Sequence, residues 1–258
     1  MNFNFLENCI VGVCDAAPLE EERKRLLATP TPFVTRDIEK RINPAKSLPG
    51  AKSIIVVGKA YEPSPTNNLS SLAYGTDYHI TLRKILEDLV NHLSCNSLVM
   101  VDSGPLSERA FAVKAGLGFW GKNGMVISPK LGSYFNIGLL IVDIVLPYSK
   151  PINKKCPDDC NLCIEACPNN AIGKPMECAS YHTQKKSVPS QKELAGQLYG
   201  CDICQACCPL NRKVQQDYID PHTILNMKED IFTQTSMGWR GLEHLKRNAS
   251  IILDKKGE

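Results

Sequence analysis

Residues 156–168 read Cys-Pro-Asp-Asp-Cys-Asn-Leu-Cys-Ile-Glu-Ala-Cys-Pro, and residues 201–209 read Cys-Asp-Ile-Cys-Gln-Ala-Cys-Cys-Pro. A lone Cys178 lies between them. Of the twelve cysteines in 258 residues, nine fall between Cys156 and Cys208, and Cys9, Cys14 and Cys95 are scattered. The remaining composition is ordinary for a globular protein, with 43% apolar and 22% charged residues, and excludes a disordered chain, a coiled coil or a collagen-like fibre. Thirty basic against 27 acidic residues give a net charge of +3, too mild to argue for or against nucleic acid. The N-terminal stretch has no early Lys or Arg, and Glu7, Asn8 and Asp15 interrupt its apolar run, so it does not read as a secretory signal. The longest apolar stretch, Ile137 to Leu146, carries Asp143 and falls well short of the roughly 20 residues a membrane helix needs. These features predict a cytoplasmic protein without membrane contact. Thiols stay reduced there, and clustered cysteines hold metal or do redox chemistry.

The spacing says which metal. In bacterial-type two-cluster ferredoxins three cysteines of each motif hold one cubane, and the cysteine before proline ligates the other cluster. Applied here, Cys156, Cys160, Cys163 and Cys208 hold one [4Fe–4S] cluster, and Cys178, Cys201, Cys204 and Cys167 hold the second. Cys207 is the spare. The first gap is three residues rather than two, and Pro157 with its two neighbouring Asp gives the extra residue room to bulge outward. A zinc site built from Cys160, Cys163, Cys201 and Cys204 competes, but leaves five cysteines and both Cys-Pro steps unexplained. Disulfides compete as well, against the compartment. Two clusters make an electron wire, so the rest of the chain must supply what receives the electrons.

Four β-branched apolar runs read as strands: Cys9–Val13, Ser53–Val57, Leu98–Val101 and Gly138–Val145, suited to a sheet buried on both faces. Between them, His79 to Leu93 places Leu82, Ile85, Leu86, Leu89, Val90 and Leu93 on one helical stripe. Leu19 to Leu27 and Pro105 to Ala115 read as shorter helices. The alternation predicts an α/β domain over 1–148. A bacterial-ferredoxin-like 2[4Fe–4S] module over 149–212 and a short helical tail over 213–258 follow, the tail with a helix at Gly241 to Leu253.

Gly116-Leu-Gly-Phe-Trp-Gly-Lys-Asn123 satisfies both G-x-G-x-x-G and G-x-x-x-x-G-K. A phosphate loop needs a strand before it and a helix after it. Here a helix precedes, an apolar Met125–Ile127 follows, and Asn123 replaces the magnesium-binding Ser/Thr. The glycines then mark a tight turn or a close approach of backbone to a large planar cofactor. Asp102 ends a predicted strand, where ligands bind in open sheets; the competing reading makes it a helix cap. His79 opens the amphipathic helix, as a cap, a ligand or a structural histidine.

Taken together these segments resemble epoxyqueuosine reductase, the cobalamin-dependent iron–sulfur enzyme family of queuosine biosynthesis. The resemblance rests on Arg41-Ile-Asn-Pro, Leu48-Pro-Gly-Ala-Lys-Ser-Ile, Asp77-Tyr-His, Val101-Asp-Ser-Gly-Pro-Leu-Ser-Glu-Arg109 and Ala115-Gly-Leu-Gly-Phe-Trp-Gly-Lys-Asn. It continues through Leu131-Gly-Ser-Tyr-Phe, both cysteine motifs, Cys178-Ala-Ser-Tyr and the Tyr199-Gly before Cys201.

The resemblance implies a cobalamin-binding α/β domain of the nitroreductase-like, B12-processing type, related to reductive dehalogenases. It implies reduction of the epoxide on a tRNA wobble base to an alkene, with an external donor such as ferredoxin or flavodoxin. It makes Asp102 the proton donor, with a pKa raised by an apolar corrin-lined pocket. Arg41, Asp102, Asn123, Ser180, Asp202 and Gln205 become cofactor contacts. Where family members carry arginines before Asp-Tyr-His, this sequence has Tyr74 and Thr76. Longer members continue into HEAT-like repeats that grip the anticodon arm, and Leu245 to Leu253 resembles the helix before them, so the resemblance implies a short form without the repeats. Lys150, Lys154, Lys155, Lys185, Lys186, Arg212 and Lys213 flank the cysteine module, either as RNA contacts or as solvated surface. Two other readings remain: a cobalamin-dependent reductase of a small molecule such as an organohalide, and a non-catalytic iron–sulfur electron carrier.

Overall fold

In the computed structural model, which describes residues 8–29, 31–229 and 236–254, the chain forms two units. One runs to Tyr61 and resumes over Tyr78–Asp158; the other takes Glu62–Asp77 and the chain from Asp159 onward.

The first unit contains β1 (Cys9–Asp15), α1 (Glu20–Ala28), α2 (Ile38–Ile42), β2 (Ser53–Ala60), α3 (Tyr78–Val90), β3 (Ser97–Met100) and α4 (Glu108–Lys114). A two-strand hairpin, β4 (Phe119–Trp120) and β5 (Val126–Ile127), and the long β6 (Phe135–Val142) complete it. The sheet order is β1-β2-β6-β3, and every pairing is antiparallel. The expected two-sided burial is present. Ile54, Val56, Leu139 and Ile141 face Phe111 and Ala112 of α4. The alternate residues Ile55, Val57, Leu140 and Val142 face Leu82, Leu86 and Leu89 of α3. Period-two alternation sorts each strand between the two faces. Both faces are apolar because both are covered.

One local expectation is corrected, and one of two alternatives for the glycine loop is met. The helix read from Pro105 begins at Glu108, because residues 102–106 form bends and the Ser107 N–H donates to Arg41 O (2.9 Å). The glycine loop is a hairpin: Phe119 pairs with Ile127 and Trp120 with Val126. A Cβ at Gly118 would lie 2.5 Å from Ile127 O, so the glycine serves close strand approach, not a phosphate.

The second unit carries short helices α5 (Leu162–Glu165), α6 (Ala179–His182), α7 (Gln191–Leu194), α8 (Ile203–Ala206) and α9 (Pro221–Leu225), then the longer α10 (Leu242–Leu253). Its core joins Leu198, Tyr199, Ile224, Leu242, Leu245 and Ala249 with Leu69 and Ala73. Residues 62–77 therefore belong to it. Ser70 N–H donates to Tyr199 O (2.9 Å) and Leu198 N–H to Asn68 O (2.8 Å). Asn248, fully buried in α10, donates to Thr183 O (2.8 Å) and Leu198 O (2.9 Å). The contact units thus divide the chain at 61, 77 and 158, whereas the sequence reading placed boundaries at 148 and 212. An excursion of sixteen residues from between β2 and α3 leaves no mark in hydrophobic periodicity. Among the described residues no helix is long and apolar enough to cross a membrane.

Phe111 is fully buried where α4 meets the sheet. Phe111→Ala is expected to cost about 3–5 kcal/mol, read as a lowered thermal midpoint of unfolding.

Candidate functional site

Asp102 follows β3 by two residues and sits at the centre of a three-residue turn closed by Ser103 N–H to Val101 O (2.5 Å). Its φ is +53°, a left-handed conformation that Asp tolerates better than most residues. Tyr78 Oη donates to Asp102 Oδ2 (2.9 Å), and His79 Nε2 lies 3.5 Å from the same oxygen. Tyr78 and His79 stack, with ring centroids 4.1 Å apart. Both belong to the first turn of α3, so one helix end presents two polar rings to one carboxylate. Asp102 therefore does not cap α4, whose N-cap Ser107 makes no side-chain capping bond.

Two carboxyls at this place titrate in opposite directions. The His79 hydrogen bond, reinforced by Tyr78, lowers the Asp102 pKa against the opposing effect of burial. This differs from the raised pKa expected of it: the Asp102 side chain is 63% exposed here, and polar partners outweigh desolvation. Glu108 is the raised group. Burial, then the Asp102 charge, pushes it up to about 8, and its Oε1 accepts from the Asp102 N–H (2.6 Å).

Arg41 is buried at 7% exposure. Its Nη2 donates to Ser107 Oγ (3.0 Å), and its Nε has no hydrogen-bond partner among the described residues. Desolvation lowers its pKa. A buried donor without an acceptor is costly, so this atom fits a bound group that supplies a carbonyl or an anion. Asn123 Oδ1 accepts from Met125 N–H (3.1 Å), shaping the β4–β5 turn.

In the second unit the two cysteine motifs fold alike. The residues before α5 and α8, Asn161 and Asp202, have φ/ψ of −121°/10° and −110°/8°. The residues after them, Ala166 and Cys207, have −77°/−13° and −77°/−14°. The sequence repeat is thus a backbone repeat. Burial pushes the Cys201 thiol up to about 12, and the charges of Cys178 and Cys167 add to it. Cys204 is raised for the same reason, with Cys201, Cys178 and Cys163 beside it. The thiols of Cys163, Cys167, Cys178, Cys201 and Cys204 therefore lie in one neighbourhood. Ala171 N–H donates to Cys167 Sγ (3.2 Å). None of the twelve cysteines is in a disulfide. Among the described residues no three His, Cys, Asp or Glu side chains group as a single metal ion requires. The donors are thiols, the ligand chemistry of an iron–sulfur cubane. Cys156 falls in the first unit by contact, two residues before its end. Cys207 donates its thiol to Cys204 O (3.7 Å), in keeping with a spare.

Asp202 is occupied within its own unit. Ser70 Oγ donates to Oδ1 (2.9 Å), while Ser71 N–H (2.7 Å) and Ser71 Oγ reach Oδ2. Gln205 Nε2 also approaches Oδ1 (3.3 Å), and Gln205 is buried. Ser180 lies on α6, its Oγ 3.2 Å from Gln184 Nε2. Among the flanking cations, Lys155 pairs with Asp158 and Lys185 with Glu193, each at 2.8 Å, and Arg212 pairs with Glu62. Sequence reasoning missed Glu108, which reads as an ordinary acidic residue in a first helical turn. It also missed Ser70 and Ser71, which read as loop.

Residues 41–103 match a family model described as "Epoxyqueuosine reductase QueG, DUF1730", and residues 155–211 match "4Fe-4S double cluster binding domain". An epoxyqueuosine reductase of Bacillus cereus is 33% identical over 289 residues, covering 94% of this chain and 76% of the relative. A structure of epoxyqueuosine reductase from Streptococcus thermophilus superposes with a TM-score of 0.84 at 31% identity, over 95% of this chain and 76% of that one. A crystal structure of epoxyqueuosine reductase with an epoxyqueuosine-modified tRNA-Tyr stem loop gives 0.82 at 31% identity, over 95% and 76% of the two chains.

The raised pKa of Glu108 has a sign. Between the ordinary carboxylate range and about pH 8, the folded chain keeps a proton the unfolded chain has released, so stability falls as pH rises through that window. Asp102, shifted down, acts only below its ordinary range and does not overlap. Glu108→Gln is expected to lose less thermal stability between about pH 5 and pH 8 than the parent, measured as unfolding midpoints across that range.

Proposed function

The chain belongs to the epoxyqueuosine reductase family, and from that premise we propose that it reduces epoxyqueuosine in tRNA to queuosine. The epoxide becomes an alkene and the oxygen leaves as water, which consumes two electrons and two protons. When bound, the two [4Fe–4S] clusters and cobalamin supply the electron transfer. An external protein such as ferredoxin or flavodoxin supplies the electrons. The setting is the cytoplasm, where tRNA and reduced thiols are found together.

The chain's own residues take these parts. Cys156, Cys160, Cys163 and Cys208 hold one cluster, and Cys167, Cys178, Cys201 and Cys204 the other, a division that rests on the spacing of the two motifs. Arg41 offers its unpartnered Nε to the cobalamin. Ser180, Asn123 and Gln205 are the further contacts, with Asp202 taking part by orienting Gln205 through the 3.3 Å bond. We assign 1–148 to the cobalamin-binding domain of nitroreductase-like, B12-processing type, 149–212 to the clusters and 213–258 to a helical tail.

Asp102 is the proton donor, and one observation carries that assignment. A solvent-reaching carboxyl, just past a strand end, is held in a left-handed turn by a tyrosine and a histidine. Strained, polar-clamped side chains beyond strand ends are where functional groups concentrate. Covering the carboxyl with substrate and cofactor removes its water. Desolvation then raises its pKa toward a value useful for donating a proton.

The test is turnover of epoxyqueuosine-containing tRNA by reconstituted holoenzyme with a chemical reductant. Asp102→Asn is expected to keep corrin absorption and iron yet form no queuosine; parental turnover in that variant removes Asp102 from the mechanism. In anaerobic reconstitution, Cys178→Ala should lose about half of the iron and Cys207→Ala none. Equal losses in the two variants would overturn the ligand assignment.

A further inference from the structure

We propose that Glu108 is the positioning residue of this site: its carboxyl holds the turn that carries Asp102, so that the Asp102 side chain stays on Tyr78 and His79. This rests on the reading of Asp102 as the proton donor.

The turn's own bond, Ser103 N–H to Val101 O (2.5 Å), closes it on the strand side only. A non-glycine residue at φ +53° persists only where its surroundings over-determine it. Val101 is buried in the core, but Asp102 and Ser103 are exposed, so packing does not constrain Asp102 itself. The constraint comes from polar bonds at both ends of Asp102. The carboxylate meets Tyr78 and His79, and the backbone N–H meets Glu108 Oε1 at 2.6 Å. The acceptor end is fixed. Glu108 opens α4, and the next residues but one, Ala110, Phe111 and Ala112, are all buried in the sheet core. An acidic residue in a first helical turn ordinarily serves its own helix terminus. Here the side chain reaches back six residues to the turn instead.

The bond needs an acceptor oxygen and no charge. Burial leaves Glu108 largely protonated near neutral pH, so an amide reproduces both its shape and its charge state. Leucine keeps the volume and removes the acceptor. Aspartate keeps the carboxyl and withdraws it by one methylene.

The experiment uses reconstituted holoenzyme of the parent, Glu108→Gln, Glu108→Leu and Glu108→Asp. Amide hydrogen exchange of residues 101–106 reads the turn, and kcat and KM with epoxyqueuosine-containing tRNA read its consequence. Glu108→Leu is expected to speed exchange of that segment about tenfold, the loss of one hydrogen bond. Its kcat should fall about a hundredfold with KM changed by less than about twofold, because misplacing a donor by an ångström has effects of that size. Glu108→Gln should match the parent in both measurements. Parental exchange in Glu108→Leu overturns the proposal, as does a Gln variant as impaired as Leu. Should Glu108→Leu lose its corrin and iron, Glu108→Asp decides in its place: it is expected to exchange fast and turn over slowly, and parental behaviour overturns the proposal. Fast exchange in Glu108→Leu with parental kcat overturns the proton-donor reading of Asp102 and with it the positioning role. The failure of the hold and the failure of the donor reading thus give different results.

Discussion

A single carboxylate ties the second cysteine motif to a segment far away in sequence. Asp202, one residue after Cys201, accepts from Ser70 and Ser71 across separations of 132 and 131 residues. A carboxylate that collects a backbone N–H and two hydroxyls forms charge-assisted bonds, stronger than neutral ones. Around it, Ser70 N–H to Tyr199 O and Leu198 N–H to Asn68 O zip the same two segments together, and Leu69 and Ala73 enter the helical core. The motif that carries Cys201 and Cys204 is thereby braced by chain that sequence order assigns to the sheet. The excursion ends at Asp77, and the next residue opens α3 with the Tyr78–His79 pair. The bracing of the cysteine motif and the start of the helix that clamps Asp102 are consecutive stretches of one chain.

The electrostatics at Asp102 follow the rule that neighbouring titratable groups are pushed apart by their surroundings. Asp102 is solvated and receives hydrogen bonds, so its charged form is favoured. Glu108 is desolvated and faces the charge of Asp102, so its neutral form is favoured. Two negative charges at this turn would repel across a poorly screened gap. With only one of them ionised, Glu108 keeps an acceptor for the Asp102 N–H while Asp102 keeps its charge for His79. On the proposed donor role, the proton affinity of Asp102 is set by covering an exposed carboxyl rather than by the resting chain.

What was legible in the sequence is what repeats or alternates. The four strands appear at the apolar runs, displaced by no more than three residues at either end. The stripe of Leu82, Leu86 and Leu89 is buried as its 3.6-residue spacing requires. The cysteine motifs carry their own symmetry, which the matching backbone around α5 and α8 repeats. Strand direction was not legible, because a sheet covered on both faces gives the same apolar runs whether parallel or antiparallel. Ser70 and Ser71 were illegible because hydroxyls that bond at a distance look like hydroxyls in a loop. Glu108 was hidden by a local explanation good enough to stop the search, that of an acidic residue at a helix start. The Asp102 environment was half legible: its place beyond a strand was readable, whereas its left-handed φ and the direction of its pKa depend on side chains from another helix.

The burial that makes the Cys201 and Cys204 thiols poor acids also bears on metal loading. Cys201 and Cys204 sit among other thiols in a desolvated place, and each would be costly to ionise alone. Placing several thiolates there is more costly still, since each raises the next. Only a cation set that cancels the charge as the protons leave can occupy the site, so binding and deprotonation are one event. Zinc cancels charge too, but one ion takes four sulfurs and leaves five of the nine clustered cysteines without a role. A cubane spreads its iron over a volume and accepts thiolates from outside it. The matching φ/ψ on either side of α5 and α8 present cysteines twice in the same local frame. A duplicated frame of thiols thus suits a duplicated metal group.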